Sequence, residues 1–285
     1  HRSILELGED YLRAGLFDRA EALFQELVEQ PAHMEVALSR LIHIFQQEKD
    51  WRQAIAYSDR LEQISGDSKR RQTAHFCCEL AEAANARNDD AETSSWLLDA
   101  LARDAGCARA NLLLGRLAMR MGDHRKAIEA FQAVERQDRG YFPEAVVPLS
   151  QCYSALGCPD EWLAYLREVH ERDHSGRITD TLAEWLLRLE GEEAALQFLE
   201  RELREYPTLL GLRRLVDTKL ARGEGAKYAD LRTLQCISVQ MLNSAARYRC
   251  SNCGFVVKSL HWCCPSCLQW NTIKPMSDLF IKTSV

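Results

Sequence analysis

The stretch "LGEDYLRAGLFDRAEALFQELVEQP", residues 7–31, sets small residues, an aromatic and a proline at intervals that one helical hairpin explains. Gly8 and Ala20 are small enough for two antiparallel helices to approach closely, and Gly15 suits the left-handed turn that ends the first of them. Phe24 fills the gap toward a following pair, and Pro31 stops the second helix. The same order returns downstream: "LLGRLAMRMGDHRKAIEAFQAVE" carries Gly115, Gly122, Ala127 and Phe131 at the spacing of Gly8, Gly15, Ala20 and Phe24. Further copies are "QEKDWRQAIAYSDRLE" with Ala54, "ARNDDAETSSWLLDAL" with Asn88 at the turn, "SQCYSALGCPDEWLAYLREV" with Gly157, and "WLLRLEGEEAALQFLERELREYP" with Gly191 and Pro207. A last, degenerate copy reads over 208–243.

Helix pairs recurring at about 34 residues with this pattern resemble the tetratricopeptide repeat. The expected fold is therefore all-α, a superhelix (α-solenoid) of six to seven helix pairs over 1–243. A small four-cysteine module of rubredoxin-like or zinc-ribbon type follows at 244–276, with a tail at 277–285. The chain of 285 residues is 46% hydrophobic and 27% charged, enough to bury a core. Its net charge of -6, from 36 basic and 42 acidic residues, repels a phosphate backbone, so no nucleic-acid partner is expected. No apolar run reaches the length of a membrane span, and the first residues lack a signal-peptide pattern. The chain opens with His1 inside an amphipathic pattern, so more chain is expected upstream.

Five of the eleven cysteines crowd into "RYRCSNCGFVVKSLHWCCPSCLQWN", residues 247–271. Cys250-x-x-Cys253 and Cys264-x-x-Cys267 form two knuckles in which a two-residue spacer aims both thiolates at one centre and Gly254 eases the turn. Four soft ligands fit one tetrahedral divalent metal, zinc or iron, with zinc favoured. Cys263 breaks the spacing and is a spare thiol. With all four ligands in use no coordination position is open for Lewis-acid chemistry, whereas iron in such a site permits one-electron transfer. Arg247, Arg249, Lys258 and Lys274 offset the net charge of a four-thiolate metal or, in a second reading, make an RNA-binding zinc ribbon. The other cysteines, Cys77, Cys78, Cys107, Cys152, Cys158 and Cys236, are scattered and read as reduced, small core hydrophobes.

The first helix of each pair should line a concave face where extended peptides or helices bind. The register places Glu9, Arg13, His43, Gln47, His75, Glu82, Asn85, Arg116, Arg120 and Gln151 on that partner-binding groove, with Gln46 and Cys78 beside them. The sequence is read as lacking a Gly-rich loop after a strand, G-x-S-x-G and H-E-x-x-H, so no enzyme is expected.

Repeats of this kind ending in "YRCSNCGF...HWCCPSCLQWNTIKP", together with "ELGEDYLRAGLFDRAE" and "AHFCCELA", resemble the bacterial lipopolysaccharide assembly protein B family across essentially the whole chain. The resemblance implies a rubredoxin-like module packed on the repeats, with Cys250, Cys253, Cys264 and Cys267 as ligands. It further implies an adaptor at the cytoplasmic face of the inner membrane, tethered by a segment missing from this chain. Its implied partners are a membrane-bound ATP-dependent protease, the deacetylase that commits lipid A synthesis, whose proteolysis it promotes, and other lipopolysaccharide-assembly components. The alternative from the residues alone is an iron-binding redox partner protein.

Overall fold

In a computed structural model the described residues are 2–65, 69–221 and 229–276. The expected tail at 277–285 lies outside them, as do residues 222–228 of the degenerate last copy. Among the described residues are fourteen α-helices, arranged as successive antiparallel pairs in an all-α tetratricopeptide-repeat fold, and a small C-terminal sheet. Two compact units divide at Leu114 and Gly115.

The first unit holds α1 (Arg2–Arg13), α2 (Phe17–Val28), α3 (Met34–Glu48), α4 (Trp51–Ser65), α5 (Arg70–Ala86), α6 (Asp90–Arg103) and the start of α7 (Ala108–Arg120). Its close helix approach is at Gly8, where an added Cβ would stand 2.9 Å from Phe24 Cζ. The turns are made without glycine where the sequence lacks it: Lys49 (φ 60°) and Asn88 (φ 58°) adopt the left-handed conformation. Asp89 then caps α6, its carboxylate accepting from Glu92 N at 2.9 Å, which satisfies one of the otherwise orphaned amides of the first turn.

The second unit continues with α8 (His124–Gln137), a 3₁₀ turn (Arg139–Tyr141), α9 (Pro143–Leu156), α10 (Pro159–His170), α11 (Gly176–Leu189), α12 (Glu192–Glu205), α13 (Leu209–Ala221) and α14 (Ala229–Ser244). The sequence copy of the first hairpin gives the same steric contact here. A Cβ on Gly115 would meet Phe131 Cε1 at 2.5 Å, and Phe131 and Ala127 are fully buried. Gly122 (φ 79°) ends α7, and Asp123 caps α8 by accepting from Lys126 N at 3.2 Å. Three short strands close the chain: β1 (Tyr248–Cys250), β2 (Val256–Val257) and β3 (Ile273–Pro275), antiparallel in the order β2-β1-β3.

Four of the six scattered cysteines are buried, Cys158 is half-buried, and Cys236 on α14 is exposed, so the core-thiol expectation fails at Cys236. The reason is that α14 closes the helical array and packs on α13, leaving Leu234, Ile237 and Met241 exposed beside it.

Gly115→Ala should lower stability by about 1–3 kcal/mol through overpacking against Phe131. Urea unfolding followed by circular dichroism reads this, and combining it with Phe131→Leu should recover part of the loss, a non-additivity expected only for residues in contact.

Candidate metal centre

The two knuckles are built alike. In the first, β1 delivers Cys250, the chain turns through Cys253, and Gly254 N donates to Cys250 O at 3.0 Å while Cys250 N donates to Phe255 O at 2.8 Å. In the second, Leu268 N donates to Cys264 O at 2.9 Å and Cys264 N donates to Gln269 O at 2.9 Å. Both turns need a left-handed residue. Gly254 (φ 77°) provides it without strain, whereas Leu268 (φ 58°) holds the same conformation with a side chain, at a cost on the order of 1 kcal/mol.

This arrangement brings Cys250, Cys253, Cys264 and Cys267 together, their Sγ atoms all within 4.8 Å of one another. Cys250 Sγ lies 3.7 Å from Cys267 Sγ, and Cys253 Sγ lies 3.7 Å from Cys264 Sγ. Metal–sulfur bonds of about 2.3 Å in a tetrahedron require sulfur–sulfur edges of about 3.8 Å, which these two edges match, so the donor set suits one tetrahedral metal. Burial raises the Cys250 thiol, but the Thr272 hydroxyl at 3.3 Å and the amides of Cys253 and Asn252 outweigh it and bring it down to about 6. The Asn252 side chain holds Cys267 down as well, while burial pushes Cys264 up to about 11. Part of the set is thus poised as thiolate, and a divalent cation supplies the charge that displaces the remaining protons. Cys263 stands outside the four-sulfur group, its thiol 3.4 Å from Leu268 O.

The module is fastened to the helices of its own unit by the segment after α8. Tyr141, fully buried, donates from its hydroxyl to Ile273 O at 3.0 Å, and its ring packs against Trp262 with centroids 4.7 Å apart. Lys274 places its ammonium 3.8 Å from the Tyr141 ring centre and pairs with Asp138. Tyr248 completes the seam by donating to Glu144 Oε1 at 2.8 Å. Beside it opens a cavity of about 520 Å³ lined by Arg139, Glu144, Arg177, Arg213, Arg247 and Tyr248 among others. Nothing in the sequence marked Tyr141 as a docking residue, because "DRGYF" reads as an ordinary turn.

The expected groove residues are placed unevenly. Arg13, Arg116, Arg120 and Gln151 are exposed, and Glu9, His43, Gln47, Glu82 and Asn85 are half-buried. Glu9 is engaged by Arg40, and burial, then the Arg40 charge, lowers the His43 pKa. His75 is buried at 4% exposure, as are Cys78 and Gln46. The cause is that α5 packs against both α4 and α6, so Thr73 through Cys78 form an unbroken buried run. Buried Arg109 then reaches the His75 carbonyl at 3.4 Å, Glu79 at 2.8 Å and Glu82 at 2.9 Å. A second convergence, of His170, His174 and Glu202, is absent from the sequence reading. The expectation that no H-E-x-x-H occurs is wrong: the string His170-Glu171-Arg172-Asp173-His174 matches it and is the signal for two of the three.

Tyr141→Phe removes one buried hydrogen bond donor and leaves the Ile273 carbonyl without it, so docking should weaken by about 1–3 kcal/mol. Hydrogen exchange should then rise over 248–276 with the helices before 138 unchanged. Cys250→Ser combined with Cys253→Ser should abolish metal retention at this group while preserving far-UV circular dichroism of the helices, measured beside metal analysis.

Comparison with known proteins agrees with this construction. A family model described as a rubredoxin metal binding domain matches residues 248–275, and a tetratricopeptide repeat model matches 108–141. Lipopolysaccharide assembly protein B of Escherichia coli (strain K12) is 36% identical over 97% of this chain and 72% of its own length. The protein of that name from Haemophilus influenzae is 31% identical over 96% of this chain and 69% of its own. A solved structure, that of MamA protein, superposes with a TM-score of 0.39 at 21% identity, covering 61% of this chain and 91% of that one, which is too weak to carry an argument. Identity at this level, spanning the repeats and the four-cysteine module together, places the chain in the lipopolysaccharide assembly protein B family.

Proposed function

We propose that this protein is a non-enzymatic adaptor in lipopolysaccharide assembly. Its repeats hold protein partners, and its metal module fixes the shape of the surface they meet. The observation that carries the reading is the alignment to lipopolysaccharide assembly protein B over 97% of the chain, which takes in scaffold and module as one piece. Repeat helices offer exposed polar positions such as Arg13, Arg116, Arg120 and Gln151, the mixture that peptide recognition uses. The cavity beside Tyr248 is lined by Arg139, Arg177, Arg213 and Arg247 and by Glu144, Asp173, Asp180 and Glu184, a mixed-charge wall that can hydrogen-bond a peptide segment.

In its finer form, the adaptor brings the deacetylase that commits lipid A synthesis to a membrane-bound ATP-dependent protease and so promotes its degradation. It acts at the cytoplasmic face of the inner membrane. No helix among the described residues is long and apolar enough to cross a membrane. Zinc is the metal in this reading. Four thiolates fill its tetrahedron and leave no open position, which suits a structural role.

A pull-down from cell lysate, with the intact chain beside the Cys250→Ser/Cys253→Ser variant, tests the reading by mass spectrometry of captured proteins. The intact chain should recover the protease and the deacetylase, and the variant should recover less of both. Recovery of neither by the intact chain, or of electron-transfer proteins by an iron-loaded one, would reject the adaptor assignment.

A further inference from the structure

Helix α10 ends at His170, and the chain turns through Glu171 and Arg172 before His174. Across from this turn, α12 projects Glu202 inward. His174 Nδ1 lies 2.8 Å from Glu202 Oε1, and His170 Nε2 lies 3.1 Å from the same oxygen. The rings are held by neighbours: His174 stacks on Tyr206, centroids 3.8 Å apart and planes within 6°, and His170 meets Phe198 edge-on at 5.1 Å.

Two observations go beyond a satisfied hydrogen-bond cluster. First, His170 is only 8% exposed, and its Nε2 is buried without a well-formed hydrogen bond although Glu202 Oε1 lies 3.1 Å away. Second, Glu202 is a carboxylate at 6% exposure, and among the described residues no Lys or Arg pairs with it. A buried carboxylate that faces two imidazoles and no Lys or Arg among the described residues is a place where a cation would be held.

We propose that His170 Nε2, His174 Nδ1 and Glu202 Oε1 form a second divalent-metal site, separate from the four cysteines. Metal–nitrogen and metal–oxygen bonds of about 2.0–2.1 Å in a tetrahedron give donor–donor edges of about 3.3 Å, against 3.1 Å and 2.8 Å from the two imidazoles to Glu202 Oε1, so a bound ion parts the donors by a few tenths of an ångström. Two imidazoles and one carboxylate are borderline ligands, and zinc is the ion they fit among common divalent metals. The site is not a peptidase centre. That chemistry needs both histidines and the intervening glutamate on one continuous helix, whereas α10 stops at His170 and Glu171 is exposed. The metal instead cross-links the end of α10 to α12 and holds the turn that leads into α11.

The test is zinc titration of the untagged full chain, counted by native mass spectrometry, with cobalt substitution read by absorption. The wild-type chain should take two metals, and His174→Gln or Glu202→Gln should take one. In those variants cobalt should keep the intense thiolate charge-transfer bands of the cysteine group, which also reports that the chain has folded. In Cys250→Ser/Cys253→Ser the single remaining cobalt should show only weak ligand-field bands, and Glu202→Gln should then weaken it on the order of tenfold or more. His174→Gln is the milder change, since its side chain is 31% exposed. One metal in the wild-type chain under saturating zinc, or two retained in both His174→Gln and Glu202→Gln, would overturn the proposal.

Discussion

A phenol ring with no exposed surface carries the burden of joining module to repeats. Tyr141 donates to the carbonyl of Ile273 in β3, packs on Trp262 in the loop between the knuckles, and lies under the ammonium of Lys274. The module's own buried core is Cys250, Cys264 and Ile273, far less than a free-standing domain of its length requires. Its shape therefore depends on two outside supports, a metal among the thiolates and this ring. The 3₁₀ turn that presents Tyr141 is in turn fixed by Asp138, whose carboxylate accepts from Gly140 N at 3.0 Å and pairs with Lys274. One acidic residue at the end of α8 thus orders the turn and grips the strand docked on it.

Coupling between metal and scaffold follows from that geometry. Ile273 is both the partner of Cys250 in the β1–β3 ladder and the acceptor for Tyr141. A change at the sulfur cluster that shifts β1 must move the acceptor of a buried hydrogen bond, and the energy of that bond resists separation of the two events. The module is thus tied to the helices of its unit by hydrogen bonds and packing along one seam. The cavity lined by Arg139, Arg177 and Arg247 lies along this seam, so its walls are drawn from both parts.

What the sequence made legible is what local sterics decides. Gly8 with Phe24 and Gly115 with Phe131 are the same contact twice, and both were readable because a glycine facing an aromatic about two turns into the next helix has few other uses. The paired C-x-x-C spacing was readable because each knuckle closes on itself, with Gly254 and Leu268 in matching backbone conformations. His75 was misplaced on an exposed face for the opposite reason. Its burial is set by α4 and α6 pressing on α5 from two sides, and by Arg109 from α7, none of which the local pattern "TAHFCCELA" records. Tyr141 was invisible because its partner lies more than a hundred residues away.

The two groups that bring metal-ligating atoms together mark the same divide. In the cysteine group four ligands come from two short loops, so spacing alone names them and the fold need only bring the loops face to face. In the histidine group the spacing supplied a misleading string: H-E-x-x-H implies a helix, but α10 ends at its first residue, so His174 arrives by a turn and the third donor by packing of α12. A motif carries chemistry only through the backbone that displays it. Here the backbone discards the glutamate inside the string and recruits another from a neighbouring helix, turning a catalytic signature into three inward donors with no base beside them. The burial of Glu202, and not the string, is what marks the place as unusual, since an acidic side chain at that depth meets two imidazoles and no Lys or Arg among the described residues.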